Sequence, residues 1–459
     1  MERRAFLGAL GLAGMVTPFD GVAAYAAGET SGYGKLRAVK DLRDGRARLL
    51  LPAGFKYRAF NAAGTRLSDG HVTPGKHDGM AAFKTVKGQA VLVRNHEVFG
   101  PAGAFGDRSK AYDPMAGGGT CTLRVTDYGK VLAGAVSLNG TMGNCSGGAM
   151  PWGRWVSCEE TVNGPDVGND HTGGDNSLLK EKHGYVFEVG IGEPILSAGR
   201  FAHEAAACDP KTGAVYLTED DFNFASGFYR YLPPRSPLSA GRLLDGGRLQ
   251  MLAVKKKPRA KLYKHQKAGV AYDVTWVDID DPNPTFSGRP SNDEAIQYVA
   301  KQGHAKGGAQ FARLEGAIFH KGVVYFVSTQ GGAKVTKKAP SGFGDGRGQV
   351  WAYDTRSERL KLITESTAQS RLDLPDNITH SPRGTLVLCE DGDGRNYIRG
   401  LTKKGKVFSF AQLKPIKGDP GAEFAGATFS PSGHTLFVNL QARTGMTFAI
   451  WGPWRRGPF

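Results

Sequence analysis

A short phrase recurs six times along the chain and places metal-type ligands at the same two points each time. The copies open at Asp78, Cys145, Glu204, Glu315, Asp376 and Ala425. Each opening is followed by small and apolar residues, a turn, and a run rich in Val, Leu, Tyr and Trp. That run closes on acids or amides: Asn95-His96-Glu97, Glu159-Glu160, Glu219-Asp220, Thr329-Gln330, Glu390-Asp391 and Asn439. Fixed-period self-similarity marks repeat architectures. In a closed circular array, equivalent residues meet around the axis. Five of the six openings are Asp, Glu or Cys, so the axis is expected to be a cage of metal ligands.

A propeller blade of four strands needs roughly 40–50 residues. One copy per blade predicts an all-β, six-bladed β-propeller with loop insertions and a metal cluster on its axis. Further strand-like runs lie between the copies, at 184–190, 227–233 and 348–354, bounded by Gly, Pro and Asp. No long stretch shows apolar spacing at helical period. The segment from about 236 to 311 reads as an excursion from the blade pattern and contains the basic run Lys255-Lys256-Lys257-Pro258-Arg259. Two β-sandwich domains are the other all-β solution, but sandwich strands need not resemble one another.

The repeat favours one large domain over 27–459. The 65 glycines suit many tight turns, and the formal net charge of +16 suits either an anionic cell envelope or the attraction of anionic substrates. No nucleic-acid signature accompanies that charge, so no nucleic-acid partner is expected. Residues 1–26 read as an export signal. Glu2-Arg3-Arg4-Ala5-Phe6-Leu7 is a twin-arginine pattern, followed by a modest apolar run and by Ala24-Tyr25-Ala26, an A-x-A cleavage site. The apolar run is far shorter than the roughly 20 residues that span a bilayer, so no stable membrane span is expected. The twin-arginine machinery carries folded proteins, which suits a metalloprotein. The expected location is periplasmic, cell-surface or extracellular, and the expected state is a monomer.

Carboxylates at this density repel one another, and burial disfavours each charged form. Bound metal ions neutralise them most directly. Calcium takes oxygen ligands of the kind offered by Glu159, Glu160, Glu219, Glu390 and Asp391. A thiolate suits iron or zinc instead. Cys145 stands where other copies carry acids, whereas Cys158 and Cys389 precede acidic pairs and read as blade packing. Arg313, two residues before Glu315, shares its side of an extended segment. Its planar fork matches phosphate or carboxylate, so it either binds an anion or pairs with surplus acids. His96 and His203 adjoin ligand-type glutamates and either ligate or orient them.

These residues resemble the PhoX alkaline phosphatases. The matching segments are RNHE at 94–97, GGT at 118–120, NCSGG at 144–148, PWGRWVSCEE at 151–160, HGYVFEV at 183–189, GRFAHEAAACDP at 199–210, YLTED at 216–220, RLEG at 313–316 and PDNITHSPRGTLVLCEDG at 375–392. The resemblance implies a pair of Fe3+ ions bridged through oxygen, with several Ca2+ alongside, and the hydrolysis of phosphate monoesters by a metal-held oxygen. It makes Cys145 an iron ligand, Glu159, Glu160, Glu219 and Glu315 metal ligands, and Arg313 the phosphate-binding residue. Ligand roles for Glu97, Glu204, Asp376, Glu390 and Asp391 rest on the repeat. Two other readings of a propeller remain. One is a calcium-dependent hydrolase of lactones or phosphotriesters, against which the thiolate argues. The other is a surface protein whose metals only staple its blades.

Overall fold

The computed structural model describes residues 32–459 except 171, 236–238, 334–342 and 393. The expected export signal, 1–26, lies outside them. The described chain is almost entirely antiparallel strand, arranged like a propeller in five sheets of four, three, nine, six and four strands. Among the described residues no helix is long and apolar enough to cross a membrane.

Each repeat begins with a hairpin. Its first strand is His77–Lys84, Asn144–Ala149, His203–Cys208, Leu314–His320, Pro375–His380 or Glu423–Phe429. In that order these strands neighbour one another, and the last lies beside the first, so they form a closed ring. Large apolar side chains fill the space between successive sheets. Phe410, Phe424, Leu436 and Phe448 fill one such space, and Phe228, Phe326, Trp351 and Tyr353 pack together between the two halves of the nine-stranded sheet. The ring is tight enough to exclude side chains at its contacts. A Cβ on Gly79 would lie 2.6 Å from Ser146 Cα, and one on Gly316 would lie 2.7 Å from the Ile378 amide nitrogen.

Both ends of the described chain complete sheets begun elsewhere. Lys56–Phe60 pairs with Met446–Trp451, Phe60 opposite Thr447, and Leu49–Leu51 pairs with Val407–Leu413. Tyr33 ties the two ends together, its hydroxyl donating to the Trp454 carbonyl at 2.9 Å and accepting from the Phe459 amide at 2.9 Å. The stretch read as an excursion, 236–311, is more integrated than expected. Arg248–Val254 pairs with Phe228–Leu232 and extends its sheet. Ala271–Asp278 then joins that sheet to Arg359–Glu365, producing the nine-stranded sheet. Between and beyond these strands lie loops and the short helices Arg242–Asp245, Asn292–Ile296 and Tyr298–Ala305.

Candidate metal centre

Every inner hairpin carries a β-bulge at the same place. The pairing jumps between His77 and Met80, Asn144 and Gly147, His203 and Ala206, Leu314 and Ala317, Pro375 and Ile378, and Ala425 and Thr428. A bulge leaves residues off the ladder and re-aims their side chains. The re-aimed residues are Asp78, Cys145, Glu204, Glu315 and Asp376. In the sixth hairpin the equivalent residue is Gly426, one beyond the expected opening at Ala425. Gly426 has a φ of +57°, and a Cβ on it would lie 2.3 Å from the Asp78 carbonyl oxygen.

The bulge carbonyls are held by polar side chains of neighbouring hairpins. Asn95 Nδ2 donates to the Ser146 carbonyl at 2.6 Å, Thr218 Oγ1 donates to the Glu315 carbonyl at 2.6 Å, and Asn439 Nδ2 donates to the Asp78 carbonyl. Neighbouring repeats therefore fix the direction of one another's openings.

At the closing end of each hairpin the two acids of a pair part company. Glu159 pairs with Asn144, Glu219 with His203, and Glu390 with Pro375, so all three remain in the ladder. Their carboxylates serve their own sheets. Glu159 accepts from the amides of Met142, Gly184 and Tyr185 and bonds His183 Nδ1 at 2.7 Å. Glu219 Oε2 accepts from the Gly227 amide and the Tyr229 hydroxyl, and Glu390 accepts from the amides of Asp373 and Tyr397 and from Arg399 Nε. These three expected ligands are not brought to the centre, because each is held in the ladder and turned towards donors beside its own strand, although Glu219 Oε1 is buried without a hydrogen-bond partner. The next residue in each pair, Glu160, Asp220 or Asp391, has left the ladder and joins the central group, as does Glu97.

The structure thus brings Glu97, Cys145, Glu160, Glu204, Glu315, Asp376 and Asp391 together from the expected set. It adds Asp78, Asp220 and Glu423. Ligand atoms of Cys145, Glu160 and Glu204 lie within 4.8 Å of one another, and so do those of Glu204, Glu315 and Asp376. Glu204 is common to both groups. Burial, and then repulsion by the surrounding acids, pushes the carboxyls of Asp78, Glu160 and Glu204 well above the carboxylate range, and holds Asp376 up at about 8. The same causes raise the Cys145 thiol, which points at the His203 carbonyl, 3.2 Å away. Glu423 Oε2 is buried with no hydrogen-bond partner.

Arg313 reaches into this group from a left-handed backbone position, φ +49°. Its Nη2 donates to Asp220 Oδ2 at 2.8 Å and to Glu315 Oε1 at 2.7 Å, and its Cζ lies 3.8 Å from the centre of the Phe222 ring. Of the two readings of Arg313, pairing with surplus carboxylates describes its contacts here. Lys76 stands at the same offset before Asp78 and shares the left-handed conformation, φ +50°. Its positive charge acts on Asp78 and Glu97. The two histidines lie apart from this chemistry. His96 Nδ1 bonds the Gly75 carbonyl, and His203 Nε2 bonds the Gly199 carbonyl while its ring stacks on Phe201.

These donors suit metal ions. Many buried oxygens sharing few cations need added positive charge to ionise together, and the oxygen-rich set suits hard divalent ions. The single buried thiol beside Glu160 and Glu204 suits a softer transition metal.

Comparison with known proteins identifies the family. The family model described as "Alkaline phosphatase PhoX" matches residues 31–135 and 128–443. The structure of Pseudomonas fluorescens PhoX in complex with vanadate, described as a transition state analogue, is 17% identical. It superposes with a TM-score of 0.65, covering 95% of this chain and 99% of that one. A putative gluconolactonase (12% identity, 91% of this chain and 98% of that one) and the gluconolactonase XC5397 of Xanthomonas campestris (14%, 86% and 95%) superpose with TM-scores of only 0.40 and 0.38. No curated protein sequence matches. With the family model matched along most of its length, the chain belongs to the PhoX alkaline phosphatase family and is a phosphatase enzyme.

Proposed function

We propose that this enzyme hydrolyses phosphate monoesters at an iron–calcium cluster inside a six-bladed propeller. The observation that carries the reading is the pair of three-ligand groups sharing Glu204, one with a thiol and one with oxygen donors alone. Cys145, Glu160 and Glu204 would hold iron. Glu315, Asp376 and the acids around them, Asp78, Glu97, Asp220, Asp391 and Glu423, would hold calcium or bridge between ions. The six-blade count is supported by the closed ring of six inner strands, with the nine-stranded sheet taken as two blades joined through Ala271–Asp278.

When bound, such ions supply charge neutralisation and polarisation of a phosphoryl group. The chain's own contribution is placement. The bulges aim five openings inward, and the released acid of each closing pair completes the ring. Arg313 is held by Asp220 and Glu315 with its fork fixed, so it needs little reorganisation to present a donor to developing phosphoryl charge. Glu159, Glu219 and Glu390 lock the ends of the strands that carry those acids.

We further propose one catalytic domain over 27–459, export by the twin-arginine route on the strength of Arg3, Arg4 and Ala24-Tyr25-Ala26, and action outside the cytoplasm as a monomer. The deciding experiment combines elemental analysis with turnover of a chromogenic phosphate monoester before and after chelation. Iron and calcium should both be present, and activity should fall on chelation and return with the metals. Full activity in metal-free protein would refute the reading.

A further inference from the structure

The cavity that opens over the acidic centre has walls that the metal-ligand set does not use. It encloses about 300 Å3, and Glu97, Glu160 and Asp220 form its acidic floor. Three apolar side chains, Phe99, Phe222 and Ile296, line its walls together with Thr161, Asn223, Asn292 and two further acids. They come from separate parts of the fold. Phe99 follows the strand Gln89–His96, Phe222 follows Val215–Glu219, and Ile296 ends the helix Asn292–Ile296 in the long excursion.

Phe222 is 61% exposed although its ring stacks on the Arg313 guanidinium, 3.8 Å from Cζ. That stack joins the apolar wall directly to the side chain proposed to bind phosphate. Outside the floor the cavity lining carries Asp221 and Asp293 and neither Lys nor Arg. A phosphoryl group on the floor would therefore leave its alcohol against aromatic and aliphatic surface, with negative charge nearby. Apolar surface favours an aryl or alkyl alcohol, and the carboxylates disfavour an alcohol that carries an anion of its own.

We infer that this wall is the leaving-group subsite, and that it selects phosphate monoesters of uncharged apolar alcohols, aryl esters first, over esters bearing a second anionic group. The inference rests on the phosphatase reading above.

The test compares kcat/KM for naphthyl phosphate, glycerol phosphate and phosphoglycerate, using metal-loaded wild type, Phe222→Ala, Ile296→Ala and Asp293→Asn. Wild type should prefer the naphthyl ester. That preference over glycerol phosphate should fall about tenfold in Phe222→Ala and roughly threefold in Ile296→Ala, following the apolar area removed. Ile296→Ala should leave inhibition by inorganic phosphate unchanged, which separates the wall from the floor. Asp293→Asn should raise phosphoglycerate turnover relative to glycerol phosphate by roughly two- to threefold at low ionic strength. Turnover of all three esters without preference, or equal losses on naphthyl and glycerol esters in both apolar variants, overturns the subsite alone. No turnover of any ester by metal-loaded wild type removes the phosphatase reading and the subsite with it.

Discussion

Arg313 and Glu315 stand two residues apart on one chain segment and are joined side chain to side chain, Nη2 to Oε1, at 2.7 Å. The same guanidinium holds Asp220, from the preceding repeat, through Nε at 3.1 Å and Nη2 at 2.8 Å. One cation therefore fixes acids from two repeats while lying against Phe222.

Arg313→Ala should lower kcat/KM for a phosphate monoester by roughly 10²–10³, as when one charge-stabilising donor is removed. Competitive inhibition by phosphate should weaken in parallel. Arg313→Lys should recover little, because an ammonium cannot span both carboxylates as the planar fork does. Loss of metal with unchanged phosphate affinity in the protein that stays loaded would make Arg313 a structural partner only.

Glu159 and Glu160 are adjacent in sequence and opposed in role. Glu160→Gln should lower metal content and activity while leaving the fold intact. Glu159→Gln should retain metal but lose about 2–4 kcal/mol of stability, since it disturbs an acceptor shared by three amides and His183. Metal analysis together with denaturant unfolding separates the two. Metal loss confined to Glu159→Gln would reverse the assignment.

Cys145→Ser should abolish activity and any visible absorption arising from thiolate-bound iron, since a hydroxyl is a poor iron ligand. Cys208→Ser is the matched control, a buried cysteine packed between sheets, whose neighbouring acid is Asp209 and not one of the central group. Full iron content in Cys145→Ser would refute the ligand role.

His183 gives the stability a pH signature. Burial alone would lower its pKa, but Glu159 at 2.7 Å and Asp113 at 3.5 Å raise it to about 9. A raised folded-state value means that the contribution is complete below the unfolded value of about 6.5 and is lost as pH rises through about 9. His183→Gln should therefore be less stable than wild type at pH 6, with the gap narrowing towards pH 10. Thermal midpoints of both proteins across that range check this, and a gap that widens with pH would contradict it.

The repeat was legible because bulge, turn and strand recur in register, so five of the inward openings stand out in the sequence from Asp78 to Asp376. Which acid of each closing pair faces the centre was not. Alternation shows that Glu159 and Glu160 diverge, but only the pairing of Glu159 with Asn144 shows which one stays in the ladder. Glu423 escaped notice because its hairpin bulges at Gly426 and carries no acid at the opening. Lys76 could have been found by applying the Arg313–Glu315 offset to Asp78. The apolar wall was hidden because Phe99, Phe222 and Ile296 have no spacing in common and meet only when the loops fold over the ring.

The pairing of Lys56–Phe60 with Met446–Trp451 gives the ring a seam. Asp78 belongs to the first complete hairpin and Glu423 to the last, and they adjoin only when that seam is shut. Ions drawing on both acids would bind the shut ring and not the open one, so mass action would make them a clasp. The two chain ends and the centre are then one thermodynamic unit. Damage to the terminal strands would register first as weaker metal retention, and metal loss would register as fraying at the termini.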